Sequence, residues 1–349
     1  MKFELENIVR NNVKSLQAYS SARDEFQGEA KVFLDANESP FNTGLNRYPD
    51  PVQIELKEKV VEVKGVPIEN IFIGNGSDEV IDLLFRAFCE PGTDEVMILP
   101  PTYGMYEVSA KINDVELVEV PLGSEFELNV TQVIEKSTSK SKLVFLCSPN
   151  NPTGNAFELS QIEELLKGFA GLVVVDEAYI DFSAVESASS LLEKYPNLVV
   201  LQTLSKAWGL AGVRIGLGYA SKEVVEILNK IKPPYNVNVL SQKIAKEALS
   251  NVGQKMSWVK AVLAQKEMLV LALANISLVE RVYPSDANFI LFKVKDADGL
   301  YEFLIQKGVV VRNRTNMQGC RNCLRVSVGT MEENIEFLEQ LNEYESKIK

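Results

Sequence analysis

The chain has 349 residues, 46% hydrophobic and 24% charged, a composition that suits a compact two-domain globular protein and points away from fibrous or disordered classes. A formal charge of −12 argues against general binding to nucleic acid or anionic membranes, so an anionic ligand would need its own local cluster of cations. The absence of histidine excludes Ser-His-Asp and Cys-His catalysis and removes the usual ligands of a catalytic zinc, leaving proton transfer to Lys, Asp, Glu, Tyr or Cys.

The N-terminal Met-Lys-Phe-Glu-Leu-Glu lacks the apolar core of a signal peptide, and the most apolar helical stretch, 262–276, is broken by Gln265-Lys266-Glu267. A cytoplasmic protein without a membrane span is expected. From about residue 70 to 220, short β-rich runs at 71–73, 96–99, 143–147, 172–175, 198–201 and 215–219 alternate with helical patterns. Runs apolar on both faces belong to a sheet covered by helices on both sides, so an open, mostly parallel α/β sheet is predicted, with ligands at the carboxyl ends of its strands. One helix is expected over 78–89, ending before Pro91-Gly92. Another is expected over 160–169, with Ser160 as N-cap and Glu163 completing a capping box. Beyond residue 222 long helices give way to strand-like runs at 289–292, 309–312 and 324–328, separated by helical stretches at 299–306 and 331–345, the pattern of a smaller α+β domain. The first forty or so residues have no domain-sized core and are expected to join that smaller domain.

Four segments carry chemistry. Ile73-Gly-Asn-Gly76-Ser77-Asp78 passes from strand to helix through glycines, so free N–H groups there would bind a phosphate, or Ser77 simply caps the helix. Ser148-Pro-Asn-Asn151-Pro-Thr-Gly154 follows a strand, and its tight turn would aim an amide at the sheet edge. Asp176-Glu-Ala-Tyr179 ends the next strand, and a crossover helix after it would bring Lys206, in Thr203-Leu-Ser205-Lys206, to the same edge. A lysine there can form a Schiff base with an aldehyde cofactor. Arg214 lies eight residues on as an anion contact.

Together these motifs, at these spacings, resemble the fold-type I pyridoxal-phosphate (PLP) aminotransferases. The resemblance covers nearly the whole chain and tightens towards the histidinol-phosphate aminotransferases through Tyr19-Ser-Ser-Ala-Arg23, Asn37-Glu38-Ser-Pro, Asn46-Arg47-Tyr48-Pro49, Val311-Arg312 and Cys323-Leu-Arg325-Val-Ser-Val-Gly-Thr330. It implies an α/β fold with a mostly parallel seven-stranded sheet in a large domain, 40–275, and a small α+β domain from 1–39 and 276–349. It further implies Lys206 as the Schiff-base lysine and acid–base catalyst, Asp176 on the ring nitrogen, Tyr179 and Asn151 on the ring oxygen, and Tyr103 stacked on the ring. Gly76, Ser77, Asp78, Thr203, Ser205 and Arg214 would lie around the cofactor phosphate. Tyr48 would reach the neighbouring subunit's site, which implies a homodimer. Tyr19, Arg312 and Arg325 would hold the substrate phosphate, with Asn151 also contacting substrate and Arg314 close enough to exchange roles with Arg312. The implied reaction is transamination of L-histidinol phosphate with 2-oxoglutarate. An aromatic-amino-acid aminotransferase, a threonine-phosphate decarboxylase and a non-catalytic regulator of the same fold are the alternatives. Four scattered cysteines, Cys89, Cys147, Cys320 and Cys323, read as reduced thiols, and the single CxxC lacks the further ligands of a metal site.

Overall fold

The computed structural model describes residues 3–18 and 31–348. A seven-stranded sheet is built from β1 (Ile71–Gly74), β2 (Glu95–Ile98), β3 (Glu116–Glu119), β4 (Ser141–Cys147), β5 (Leu172–Asp176), β6 (Leu198–Thr203) and β7 (Gly216–Ala220), in the order β1-β7-β6-β5-β4-β2-β3. Only β7 runs antiparallel to its neighbours, as the mostly parallel prediction requires. β3 had no sequence signal, because Glu116-Leu-Val-Glu119 is an edge strand whose charged ends face water, the usual protection of an open edge.

The first helices are α1 (Asn11–Ser15), α2 (Ile54–Lys64), α3 (Ser77–Phe88), α4 (Met105–Ile112), α5 (Val130–Lys136) and α6 (Leu159–Gly168). They are followed by α7 (Lys222–Ile231), α8 (Val239–Leu249), α9 (Val252–Ala274), α10 (Ala297–Gln306) and α11 (Met331–Ile348). Alternation along the buried strands divides the core. Val173 and Val175 pack with Leu56, Leu165 and Ala245 of α2, α6 and α8. Leu172 and Val174 share the opposite core with Leu84, Tyr106 and Leu228 of α3, α4 and α7.

A second, antiparallel sheet has β8 (Val279–Val282), β9 (Phe289–Val294), β10 (Arg312–Asn313) and β11 (Cys323–Ser327) in the order β10-β11-β9-β8. One face, with Ile290, Phe292, Leu324 and Val326, is covered by α10, α11 and the end of α9 through Leu300, Phe337 and Leu273. The other face turns Phe289 and Leu291 towards the large sheet's side of the molecule, where Phe289 packs with Tyr179, Phe182 and Ala207.

Several expectations are corrected. Residues 3–18 pack on the large domain, with Ile8, Val9 and Val13 in the core beside α3 and the Arg10 guanidinium donating to the Arg86 carbonyl at 3.0 Å. The β5–β6 connection carries short 3-10 turns, Ile180–Phe182 and Ala188–Leu191, in place of a crossover helix. The buried Glu177 carboxylate gathers this connection by accepting from Ser187 Oγ and the Ala188 N–H at 2.6 Å and from Gln202 Nε2 at 2.9 Å. The capping box of α6 lies two residues earlier than Ser160 and Glu163, with the Glu158 N–H donating to Gln161 Oε1 at 3.2 Å. Glu163 instead accepts from the Tyr195 phenol at 2.6 Å. Ser77 is the first residue of α3, and Gly76, at φ 82°, is its N-cap without a side-chain bond. The strand expected over 309–312 shrinks to the two residues of β10, since Val310 is exposed.

Candidate active site

Parallel strands deliver their carboxyl ends to one edge, and the side chains singled out from sequence meet there. One cavity is lined by Ser77, Asp78, Tyr103, Asn151, Asp176, Tyr179, Thr203, Ser205, Lys206 and Arg214, with Cys147 on its floor. Asp176 is the last residue of β5, and Lys206 follows β6 by three residues, so adjacent strands bring the carboxylate and the amine together.

Asp176 is 3% exposed, and its carboxyl is pushed up by burial. Two donors oppose that: the Tyr106 phenol at 2.7 Å and the Ala178 N–H at 3.1 Å. Tyr106 was missed in the sequence. It is wholly buried, stacks on Phe145 at 4.6 Å and meets Tyr103 edge-on at 5.6 Å. The available signal was its place in the first turn of α4, three residues after Tyr103.

Lys206 is exposed within the cavity, and partial burial of its ammonium first, then Arg325, lowers its pKa, while Asp176 acts the other way. Its Nζ stands 5.6 Å from the centre of the Tyr179 ring. Burial pushes the Tyr179 phenol well up, so it is protonated and able to donate at neutral pH.

At the opposite end of the cavity the start of α3 presents backbone N–H groups without intrahelical partners. Arg214, in the left-handed conformation at φ 57°, folds back over them, and its guanidinium lies 3.5 Å from Asp78. A Cβ on Gly76 would collide with that guanidinium, so glycine leaves space between the helix start and the arginine. Ser205 and Thr203 are joined through their hydroxyls at 3.0 Å. This donor set, an arginine, two hydroxyls and a helix N-terminus at one end with a buried carboxylate and a lysine at the other, fits a phosphorylated pyridine aldehyde such as PLP.

Arg325 of β11 comes from the second sheet to donate to Asn151 Oδ1, and its guanidinium lies 5.0 Å from the Phe289 ring centre. Arg312 stands directly across the ladder from Arg325. Tyr48 is not among the cavity residues; it stacks on Tyr235 at 4.4 Å on a separate, half-exposed surface. Tyr19 lies outside the described residues. Cys320 and Cys323 are buried free thiols raised by burial, to about 12 and about 11.

The family described as aminotransferase class I and II matches residues 25–341, and the chain belongs to it. Within that class it is 52% identical over 342 residues to the histidinol-phosphate aminotransferase of Flavobacterium johnsoniae, covering 97% of this chain and 98% of the relative. It is likewise 52% identical over 331 residues to the enzyme of that description from Parabacteroides distasonis, covering 95% and 96%. The fold matches the crystal structure of histidinol-phosphate aminotransferase from Sinorhizobium meliloti in complex with pyridoxal-5'-phosphate, with a TM-score of 0.81 at 23% identity over 90% of each chain.

Proposed function

We propose that this enzyme transaminates L-histidinol phosphate with 2-oxoglutarate, giving imidazole-acetol phosphate and glutamate, with PLP as cofactor. The observation that carries the substrate is the pairing of Arg312 and Arg325 across β10 and β11, with Arg325 reaching Asn151 at the cavity. Two guanidiniums side by side match a phosphomonoester dianion, whereas one suffices for an α-carboxylate.

PLP, when bound, supplies the electron sink that makes the substrate α-carbon acidic. Asp176, whose ionised form the Tyr106 phenol and the Ala178 N–H favour against its burial, would face the ring nitrogen and favour its protonated form. Ser77, Ser205, Arg214 and the N–H groups opening α3 hold the cofactor phosphate, with Gly76, Asp78 and Thr203 shaping that end. Tyr103 would cover one ring face, and Tyr179 and Asn151 would donate to the ring oxygen. Lys206 Nζ would hold the cofactor aldehyde, and its lowered pKa favours the neutral amine able to take a proton from the substrate α-carbon.

The reading includes a homodimer in which Tyr48 serves the neighbouring site. Its support is the exposed surface where Leu45 and Val239 stand open beside the stacked Tyr48 and Tyr235. No helix among the described residues is long and apolar enough to cross a membrane, and the four buried free thiols suit a reducing cytoplasm. The domain division follows the two sheets, with the end of α9 counted with the small one.

The test is the visible absorption of the PLP-loaded protein during addition of L-histidinol phosphate alone, then of 2-oxoglutarate. Loss of the band and its return on keto-acid addition are expected. A band that persists with L-histidinol phosphate but bleaches with phenylalanine would replace this reading with an aromatic aminotransferase, and carbon dioxide release from L-threonine O-phosphate with a decarboxylase.

A further inference from the structure

The β10–β11 ladder does not end with the Arg312–Arg325 pair. One step on, the Arg314 N–H donates to the Cys323 carbonyl at 2.9 Å. Extended chain puts residues two apart on one face, so Arg314 joins Arg312 and Arg325 on the face that carries Cys323 and looks towards the large domain. Three guanidiniums therefore share one sheet face.

Among the described residues no carboxylate forms an ion pair with any of the three. Burial first, then the Arg325 and Arg312 guanidiniums, push Arg314 down to about 10, and the groups that favour its charge are the Cys320 thiol and the Tyr179 phenol. For Arg325 the favouring group is again Tyr179. Arg314 and Arg325 each keep a buried Nε without a hydrogen-bond partner. Buried cationic donors left unpaired are costly, and an anion relieves the cost in proportion to its charge. Although Arg314 extends the edge strand β10, Tyr179, which lines the cavity, acts on its charge as it does on that of Arg325, so Arg314 lies in the field of the active site.

We propose that Arg314 is a specificity-determining residue: a third guanidinium of the substrate-anion subsite, which favours a doubly charged phosphomonoester over singly charged ligands. The proposal rests on the phosphomonoester reading of the substrate. A phosphomonoester gains its second charge near pH 6, so the contribution of Arg314 grows as pH rises through that value.

The experiment is steady-state kinetics of the PLP-loaded enzyme with L-histidinol phosphate at about pH 5 and about pH 8, comparing each variant with wild type at the same pH. Arg314→Gln is expected to raise KM about tenfold at the higher pH and only about two- to threefold at the lower. Arg314→Lys keeps the charge without the planar fork, so it should keep the pH dependence with a KM between the two. A KM that rises equally at both pH values, or not at all, would mark Arg314 as merely structural, and so would Arg314→Lys behaving like Arg314→Gln. Should Arg314→Gln fail to hold PLP, inhibition of wild type and Arg314→Lys by inorganic phosphate decides: weaker inhibition of the variant supports the proposal, and unchanged inhibition overturns it. Wild type that does not turn over L-histidinol phosphate would instead sink the substrate reading.

Discussion

Tyr106→Phe removes one oxygen and leaves the packing in place, which makes it the cleanest probe of the Asp176 environment. The ring is wholly buried between Phe145 and Tyr103, and phenylalanine keeps both contacts. What disappears is the 2.7 Å bond to Asp176 Oδ2, after which the Ala178 N–H at 3.1 Å remains as donor. A hydrogen bond to an ionised group contributes about 1.5–3 kcal/mol, so its loss should raise the proton affinity of Asp176 by roughly 10- to 150-fold. Burial already pushes that carboxyl up, and without Tyr106 its ionised form is held less firmly against the ring nitrogen. The expected result is a PLP dissociation constant raised about tenfold or more and a lowered kcat, with KM for L-histidinol phosphate within about twofold of wild type, because Tyr106 does not line the cavity. Spectroscopic titration of the apoprotein with PLP and initial-rate kinetics measure these quantities. Unchanged PLP affinity and unchanged kcat would refute the role assigned to the Tyr106–Asp176 pair.

Three further outcomes follow from the same geometry. Lys206→Ala should abolish turnover while leaving a folded protein that holds PLP noncovalently; turnover at the wild-type rate would overturn the role of Lys206. Gly76→Ala forces a side chain onto a φ of 82° and into the Arg214 guanidinium, so PLP should bind about tenfold more weakly or worse, and an unaltered dissociation constant would show that this end of the cavity does not hold the phosphate. Burial raises Asp176, so the folded apoprotein binds that proton more tightly than the unfolded chain; the contribution is full below the ordinary carboxylate range and is lost as pH rises through the raised value. Apoprotein carrying Asp176→Asn should accordingly melt above wild type at pH 8, with the gap closing towards pH 4; a lower melting temperature at pH 8 would contradict a strained carboxylate.

Local pattern determined much of this protein. The apolar runs around Val173 and Val199 could satisfy both faces only inside a helix-covered sheet, and that alone sent Asn151, Asp176 and Lys206 to one edge. Glycine at position 76 and the arginine eight residues after Lys206 were legible because backbone conformation and charge are written in single residues. Tertiary structure decided what depends on partners distant in sequence. Tyr106 looks like any core aromatic until β5 brings Asp176 to its hydroxyl, 70 residues further along the chain. Glu177 orders a connection that lacks helical periodicity, so the expected crossover helix had nothing local to contradict it. Residues 3–18 could have covered either domain, and only the fold shows Ile8, Val9 and Val13 entering the core of the large one beside α3. Arg312, Arg314 and Arg325 are three arginines in a row of letters, and only the antiparallel register of β10 against β11 turns them into one cationic face. Propensity and patterning act over a few residues, whereas electrostatics and burial act through space, and the second kind of information becomes visible only once the chain has folded.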